Sequence, residues 1–273
     1  MPEVVSTWRQ LLDAYQRFKD GQWCFRGDAR SGRILKTSLE RVAVDRWGRD
    51  WAELPEIEDG LMRRFRREAH LYLSSEPEEG DRIGWLSLMR HHGAPTRLLD
   101  WSFSFFVALH FAIERAEPDV PSSVFAMDLA RIRDRVDRLD HLRPFLLRDP
   151  NAKGKDTVEA IIDHSPRHPL IFPLNPWRMN RRLILQQSIF LVPGDITRSF
   201  MNNLRAVDDP GNILFEIRLS NDRRFLEEAT RELLSMNMSS ATLFPGLDGF
   251  AKKLDSLIPF PHLRAVDSEV GME

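Results

Sequence analysis

The chain has 273 residues, a length typical of one large domain or of one domain with insertions. Hydrophobic residues make up 42% of it and charged residues 29%, which excludes a disordered or fibrous chain. A formal net charge of −2 argues against a whole-surface attraction to nucleic acid and leaves a local basic patch open. The 39 basic residues include 6 Lys and therefore 33 Arg; codon bias is the simpler explanation of this ratio, although the arginine fork suits phosphate.

The sequence also indicates where the protein resides. The single cysteine, Cys24, excludes an intramolecular disulfide and a cysteine-based metal site. The first residues lack the basic segment and apolar run of a signal peptide, and the longest apolar run, at 105–113, is interrupted by His110. We therefore expect a cytoplasmic protein without a membrane partner.

Hydrophobic periodicity and capping residues predict a series of helices and strands. The helices are predicted, in chain order, at about 8–18, 57–73, 83–91, 104–115, 222–234 and just after Gly246. The strands are predicted at about 22–28, 122–129, 186–195 and 212–219, with residues 94–101 extended. In the second helix we expect a buried stripe formed by Ile57, Leu61, Phe65, Ala69 and Tyr72.

The order of these elements predicts an α+β fold with a mixed or antiparallel sheet and helices around it. Residues 28–56 are polar and irregular, and residues 128–170 are charged and rich in proline, which indicates an insertion or peripheral helices. No GxGxxG or Walker sequence is present, so nucleotide-binding folds that depend on those loops are excluded.

The first candidate site is the arginine of the predicted strand at 22–28. Arg26 follows two large aromatic residues and precedes Gly27, so its fork would project from a firmly held strand. The glycine would let backbone or ligand approach closely. A structural arginine that pairs with a carboxylate at the strand end is the alternative.

The second candidate site is a dense polar segment before the apolar helix at 104–115. Its polar and aromatic members are His91, His92, Thr96, Arg97, Asp100, Trp101, Ser102 and Ser104. Polar groups beside so apolar a helix are costly unless they bond to one another or to a ligand, and the helix start would suit an anion. The alternative is structural: an Arg97–Asp100 ion pair and serines that only cap the helix.

Other chemistries are less well supported by the sequence. Adjacent His91 and His92 point in different directions, so we expect no metal, and a metal-dependent nuclease that uses them with Asp100 is the weakest hypothesis. The sequence contains no GxSxG elbow, so it does not indicate a serine hydrolase. The arginines at 63–67 fit a solvated helix face better than a phosphate site.

Four segments together resemble the FRG domain family of bacteria and phages. They are WCFRGD, LSLMRHHGAPTRLLDWSFSFFVALHFA, RRLILQQSIFLVPGD and TLFPGLDGFAKKL. The family is named after a Phe-Arg-Gly tripeptide, which is Phe25-Arg26-Gly27 here. The resemblance covers about residues 20–256 and implies that the whole chain, 1–273, is one FRG domain with the charged insertion at about 128–170.

The order of these segments is more distantly similar to the R-S-E class of ADP-ribosyltransferases. That resemblance implies an ADP-ribosyltransferase-like core in which Arg26 and Gly27 meet the phosphate or ribose of NAD. Ser102 and Ser104 would then shape the nicotinamide pocket, and the paired Gln186 and Gln187 would stand where the class has its acidic motif. A carboxylate stabilises the oxocarbenium-like state of such a reaction and glutamine carries no charge, so Asp100 or Glu216 would have to supply it.

The leading hypothesis is therefore a protein that binds NAD or a related nucleotide and modifies a macromolecule, as a toxin or anti-phage effector with an antitoxin-like partner. Arg26 would clamp phosphate, with Asp100 and Gln187 also at the reaction centre. The expected nucleotide-binding side chains are His92, Thr96, Arg97 and Asp100, and Trp101 or Phe190 could stack on a ring. The alternative is a non-catalytic module that senses a nucleotide or a nucleic acid.

Overall fold

The computed structural model describes residues 4–73, 75–138, 161–162, 167–176 and 179–260. They form an α+β fold around a seven-stranded sheet, as the order of elements predicts. Among these residues, no helix has the length and apolar character needed to cross a membrane. Much of the predicted charged insertion at 128–170 lies outside the described residues, so its extent stays a prediction.

The sheet is mixed, with strand order β1-β7-β4-β2-β3-β6-β5. Among the strands that the structure describes, only the β1–β7 pair is parallel, and the other neighbours run antiparallel. The strands are β1 (Val4–Val5), β2 (Trp23–Asp28), β3 (Leu99–Ser102), β4 (Ser122–Asp128), β5 (Ile171–Leu174), β6 (Ser188–Pro193) and β7 (Leu214–Leu219). The strand with the candidate arginine, β2, is therefore central.

Helices cover both faces of the sheet. The longer ones are α1 (Trp8–Gln16), α3 (Leu54–Ala69), α4 (Arg82–His91), α5 (Phe105–Ile113), α6 (Leu129–Asp137), α8 (Phe200–Val207), α10 (Arg223–Ser235) and α12 (Leu247–Asp255). Short helices are α2 (Ser38–Glu40), α7 (Arg181–Leu185), α9 (Pro210–Ile213) and α11 (Ser240–Leu243). Most start at the expected type of cap; the Ser104 side chain accepts from the Val107 amide at the start of α5.

Alternation along the central strands divides the core into two layers. Cys24 packs on the face covered by α3, α4 and α6, whereas Phe25 packs with Phe105 and Leu109 on the opposite face. The α5 helix is buried along nearly its whole length, as its continuous apolar sequence predicts. This helix lies directly against β2 and thereby fixes the backbone of the candidate site.

Two local predictions are wrong. Residues 28–56 are not wholly irregular, because α2 continues into a π-helix at Arg41–Arg46 and a 3₁₀ turn at Trp51–Glu53 precedes α3. The buried stripe of α3 differs as well: Tyr72 is 83% exposed, and Glu58 and Met62 are buried. The apolar pattern of the sequence does not predict this buried face, because Glu58 is charged and its burial depends on an ion partner distant in the chain.

Candidate functional site

A cleft of about 910 Å³ opens at the point where β2 and β3 separate. The two strands pair at Phe25 and Ser102 only, and the Arg26 and Asp100 side chains line the space beyond that pair. The other walls come from the α4 end, α5, α7 and the segment from Phe244 into α12. We refer to this space as the basic cleft, and its volume is that of a typical small-molecule site.

Arg26 holds the two separating strands together through its side chain. Its Nη1 donates to the Asp100 carbonyl oxygen at 2.6 Å. Burial lowers the pKa of Arg26 to about 10, Asp100 opposes this shift, and Arg41 and Arg90 add to it. An anion bound beside Arg26 would offset the free energy needed to keep a desolvated guanidinium charged there.

The charged side chains around the cleft are unbalanced. Cations are contributed by Arg26, Arg90, Arg115, Arg181, Arg182 and Lys252, and acids by Asp100, Glu114 and Asp248. Arg90 donates through Nε, at 2.7 Å, and through Nη2 to the same Asp100 oxygen, so this pair is neutral. Burial also lowers the pKa of Arg182; the Asp100 carboxylate partly offsets this shift, and the Arg90 cation increases it. The cleft thus carries an excess of positive charge in a protein whose net charge is −2.

Gly27 is required by the packing of β2 against α5. A Cβ atom there would lie 2.0 Å from the Ala108 oxygen and 2.5 Å from the Ala112 nitrogen, both backbone atoms of α5. Only a residue without a side chain allows this approach. The three residues of the tripeptide therefore have separate tasks, since Phe25 packs in the core, Arg26 lines the cleft and Gly27 contacts α5.

The two candidate serines are bound to backbone groups. Ser102 Oγ donates to the Gln186 carbonyl at 2.7 Å and accepts from the Ser104 amide at 2.9 Å. Ser102 lines the cleft, whereas Ser104 caps α5. Together they connect the start of α5 to the turn before β6.

Thr96 and Arg97 do not line the cleft. Thr96 is fully buried, and its amide donates to Ser38 Oγ at 3.0 Å. Arg97 is 1% exposed and bonds to Glu58, with Nε–Oε2 at 2.7 Å and Nη2–Oε2 at 2.5 Å. The alternative of an Arg97–Asp100 ion pair is therefore wrong, because each residue has a different partner.

His92 and Trp101 also have surroundings that the sequence does not reveal. His92 lines a separate groove, largely apolar, between α3 and the end of α4, while its neighbour His91 lines the basic cleft. Trp101 lines the cleft but is only 2% exposed, and its Nε1 has no hydrogen-bond partner among the described residues. Trp101 is thus mainly a core residue. Phe190 is 1% exposed and contributes only to a small adjoining pocket.

The paired glutamines lie before β6 and not in it. Gln186 follows α7 and is buried at the cleft wall, where its Nε2 donates to the Leu243 carbonyl at 3.1 Å. Gln187 is exposed, has a φ of 45° and does not line the cleft. Glu216 also lies elsewhere, since it accepts from Ser123 Oγ at 2.6 Å on β4.

Sequence reasoning missed several residues of the cleft. Arg182 stacks over the Phe244 ring at 4.5 Å, and Phe244 packs edge-to-face on Phe111 with centroids 5.9 Å apart. Glu114 accepts from Ser240 Oγ at 2.6 Å, and its side chain is 18% exposed. The segments that contain these residues carry the family resemblance, but their spacing along the chain does not show that they converge.

Within the described part of the chain, no group of three or more His, Cys, Asp or Glu side chains is placed to hold a metal ion. The His91 and His92 rings are perpendicular, with centroids 4.8 Å apart. The expectation that the protein needs no metal stays a prediction.

Comparison with known proteins gives a match for part of the chain. Residues 21–120 match the family model of the FRG domain, and the chain therefore contains an FRG domain. This range includes β2, α4, β3 and α5, which build one side of the basic cleft. Neither a curated protein nor a solved structure matches the chain.

Proposed function

We propose that this FRG-domain protein binds NAD or a related nucleotide in the basic cleft and transfers ADP-ribose to a macromolecule. The observation that carries the proposal is the excess of cations around a cleft of about 910 Å³, whose lining includes Arg26. Arginine forks bind phosphate by paired, charge-assisted hydrogen bonds. Desolvated, closely spaced arginines favour an anionic ligand, since it offsets their mutual repulsion.

The apolar part of the cleft suits the rings of such a ligand. Phe111 and Phe244 both line it, and Phe244 also has Lys252 Nζ 5.3 Å from its ring centroid. A base or nicotinamide ring beside these phenyl groups would place its phosphates among the nearby cations.

Transfer would break the bond between the ribose carbon and the nicotinamide nitrogen, and nicotinamide would leave with the bonding electron pair. The target's nucleophile would form the new bond to that carbon and release its proton to a base. A carboxylate would stabilise the positive charge that develops on the ribose. Arg90 neutralises Asp100, Glu216 lies outside the cleft and Gln187 carries no charge. The remaining acids of the cleft wall are Glu114 and the more exposed Asp248, and we assign the role to Glu114.

Two assays test the binding and the chemistry separately. Equilibrium binding should show that the natural protein binds NAD and that Arg26→Ala binds it about 10- to 100-fold more weakly. This is the change expected from the loss of one hydrogen-bonded contact between charged groups. Arg63→Ala, on the exposed face of α3, is the matched control and should bind as the natural protein does. Arg26→Lys retains the charge and checks that any loss is not a failure to fold. Undiminished binding by Arg26→Ala, or no binding by the natural protein, would refute the proposal.

Turnover is measured with labelled NAD and a cell lysate. Label transferred to a macromolecule, and lost in Glu114→Gln with NAD binding retained, would support the transferase. Binding without turnover would favour the alternative of a nucleotide-sensing module. That alternative is supported by the pairing of two of the three acids that line the cleft, Asp100 with Arg90 and Glu114 with Ser240. Growth arrest on expression, relieved by Arg26→Ala, would support a role as a toxin or anti-phage effector.

A further inference from the structure

A smaller pocket of about 180 Å³ adjoins the basic cleft. The two spaces share five lining residues, namely Arg90, His91, Asp100, Arg182 and Gln186. Pockets for whole small molecules begin at roughly 300 Å³, so this side pocket has room for one substituent of a ligand that occupies the cleft.

Polar side chains dominate the wall shared by the side pocket and the cleft. Arg90 and Asp100 neutralise each other, so Arg182 supplies the net positive charge. Among the described residues Arg182 has no carboxylate within ion-pair distance; its Nη1 lies 3.5 Å from the His91 carbonyl oxygen, and its fork stacks on Phe244. A desolvated guanidinium whose nearest acid is already paired is a suitable partner for a phosphate group.

The side pocket also contains an imidazole that can gain a proton. Asn180 Oδ1 accepts from the Leu183 amide at 2.9 Å, which directs the Asn180 amide group towards His91 Nδ1 at 3.4 Å. Since that amide donates, Nδ1 accepts and the neutral ring carries its proton on Nε2. Burial lowers the pKa of His91, and Arg182 and His92 lower it further.

We infer that the side pocket is a subsite for a phosphate monoester, and that the preferred ligand is a nucleotide with a phosphate group besides its pyrophosphate, as in NADP. This inference rests on the proposed nucleotide site. Arg26 would hold the pyrophosphate, and Arg182 with His91 would hold the additional phosphate. The charged groups that face His91 are Arg90 on α4, His92 directly after α4, Arg182 on α7 and Asp100 on β3. A phosphate dianion among them favours protonation of His91, so its binding strengthens as pH falls.

Adjacent arginines provide a matched pair of variants. Both Arg181 and Arg182 line the cleft, but only Arg182 lines the side pocket. The natural protein should bind NADP about 10-fold more tightly than NAD, Arg182→Ala should abolish this preference and Arg181→Ala should retain it. The preference should increase from pH 8 to pH 6, and His91→Gln should remove that increase.

Inorganic phosphate is the second probe, because it tests the subsite without the nucleotide. Phosphorus NMR line broadening should report binding by the natural protein and by Arg181→Ala, and clearly reduced binding by Arg182→Ala, in which only phosphate at Arg26 would remain. Phosphate should also raise the pKa of the one imidazole whose NMR signal disappears in His91→Gln. NAD binding without an NADP preference would overturn this inference alone. No binding of either nucleotide would refute the proposed function, and absence of Arg182-dependent phosphate binding would then overturn the subsite as well.

Discussion

Replacement of Gly27 by alanine distinguishes a glycine needed for packing from one needed for a ligand. The new Cβ would lie 2.0 Å from the Ala108 oxygen, 2.5 Å from the Ala112 nitrogen and 3.0 Å from the Phe111 carbonyl carbon. Contacts below 3.0 Å are essentially absent from real structures, so α5 and β2 would have to separate by about 1 Å. Both elements are buried, and an overpacked core costs about 1–3 kcal/mol.

Because the backbone must move and not a flexible side chain, we expect a loss at the upper end of that range. The free energy of unfolding, about 5–15 kcal/mol for a typical domain, should fall by about 3 kcal/mol. Urea denaturation measures this loss as a lower midpoint with an unchanged slope. Gly60→Ala is the control: its Cβ would meet only Arg63 Nη2 at 3.9 Å, inside α3, so a gain of about 0.5–1 kcal/mol is expected. A Gly27→Ala protein of natural stability that has lost nucleotide binding would refute the packing argument.

Two further predictions concern buried charged groups. Burial raises the pKa of Glu40 from 4.5 to about 7, partly offset by hydrogen bonds from the Phe200 amide and Thr37. The folded state therefore retains a proton that the unfolded chain releases, and the free energy of unfolding should fall by up to roughly 3 kcal/mol as pH rises from 4.5 to 7. Urea midpoints across that range should show the fall in the natural protein and not in Glu40→Gln; equal pH slopes would contradict it. Arg97→Met leaves Glu58 in the core without its main partner and should lower the free energy of unfolding by about 3 kcal/mol. The double variant Glu58→Leu with Arg97→Met removes the unpaired charge and should recover part of that loss, as measured by thermal unfolding. A double variant less stable than Arg97→Met would contradict this reasoning.

Local sequence determined the elements on which the cleft is built. The strand Trp23–Asp28 alternates between the two core layers, and α5 follows from a continuous apolar run after a serine cap. Asp222 caps the start of α10, and Gly246, with a φ of 131°, directly precedes α12, so both residues mark helix starts. These features depend on neighbours a few residues away, which is why the order of elements predicted an α+β fold.

The polar segment before α5 shows where such reasoning ends. Neighbouring residues in it have unrelated partners: Thr96 bonds to Ser38, Arg97 to Glu58, and Asp100 to Arg90 and Arg26. Each partner is brought there by another element of the fold. Residue type alone indicated a polar network, but it did not distinguish its buried structural members from those that face the cleft.

The candidate site itself depends on the tertiary structure. Arg26 was recognisable from its strand, because a rigid backbone and a following glycine are local features. That the glycine contacts α5, that Gln187 lies outside the cleft, and that Arg182 and Glu114 belong to its wall follow from how distant segments pack. The physical reason is that hydrogen bonding and periodicity act over a few residues, whereas burial and electrostatic interactions depend on distances in space that the folded chain alone establishes.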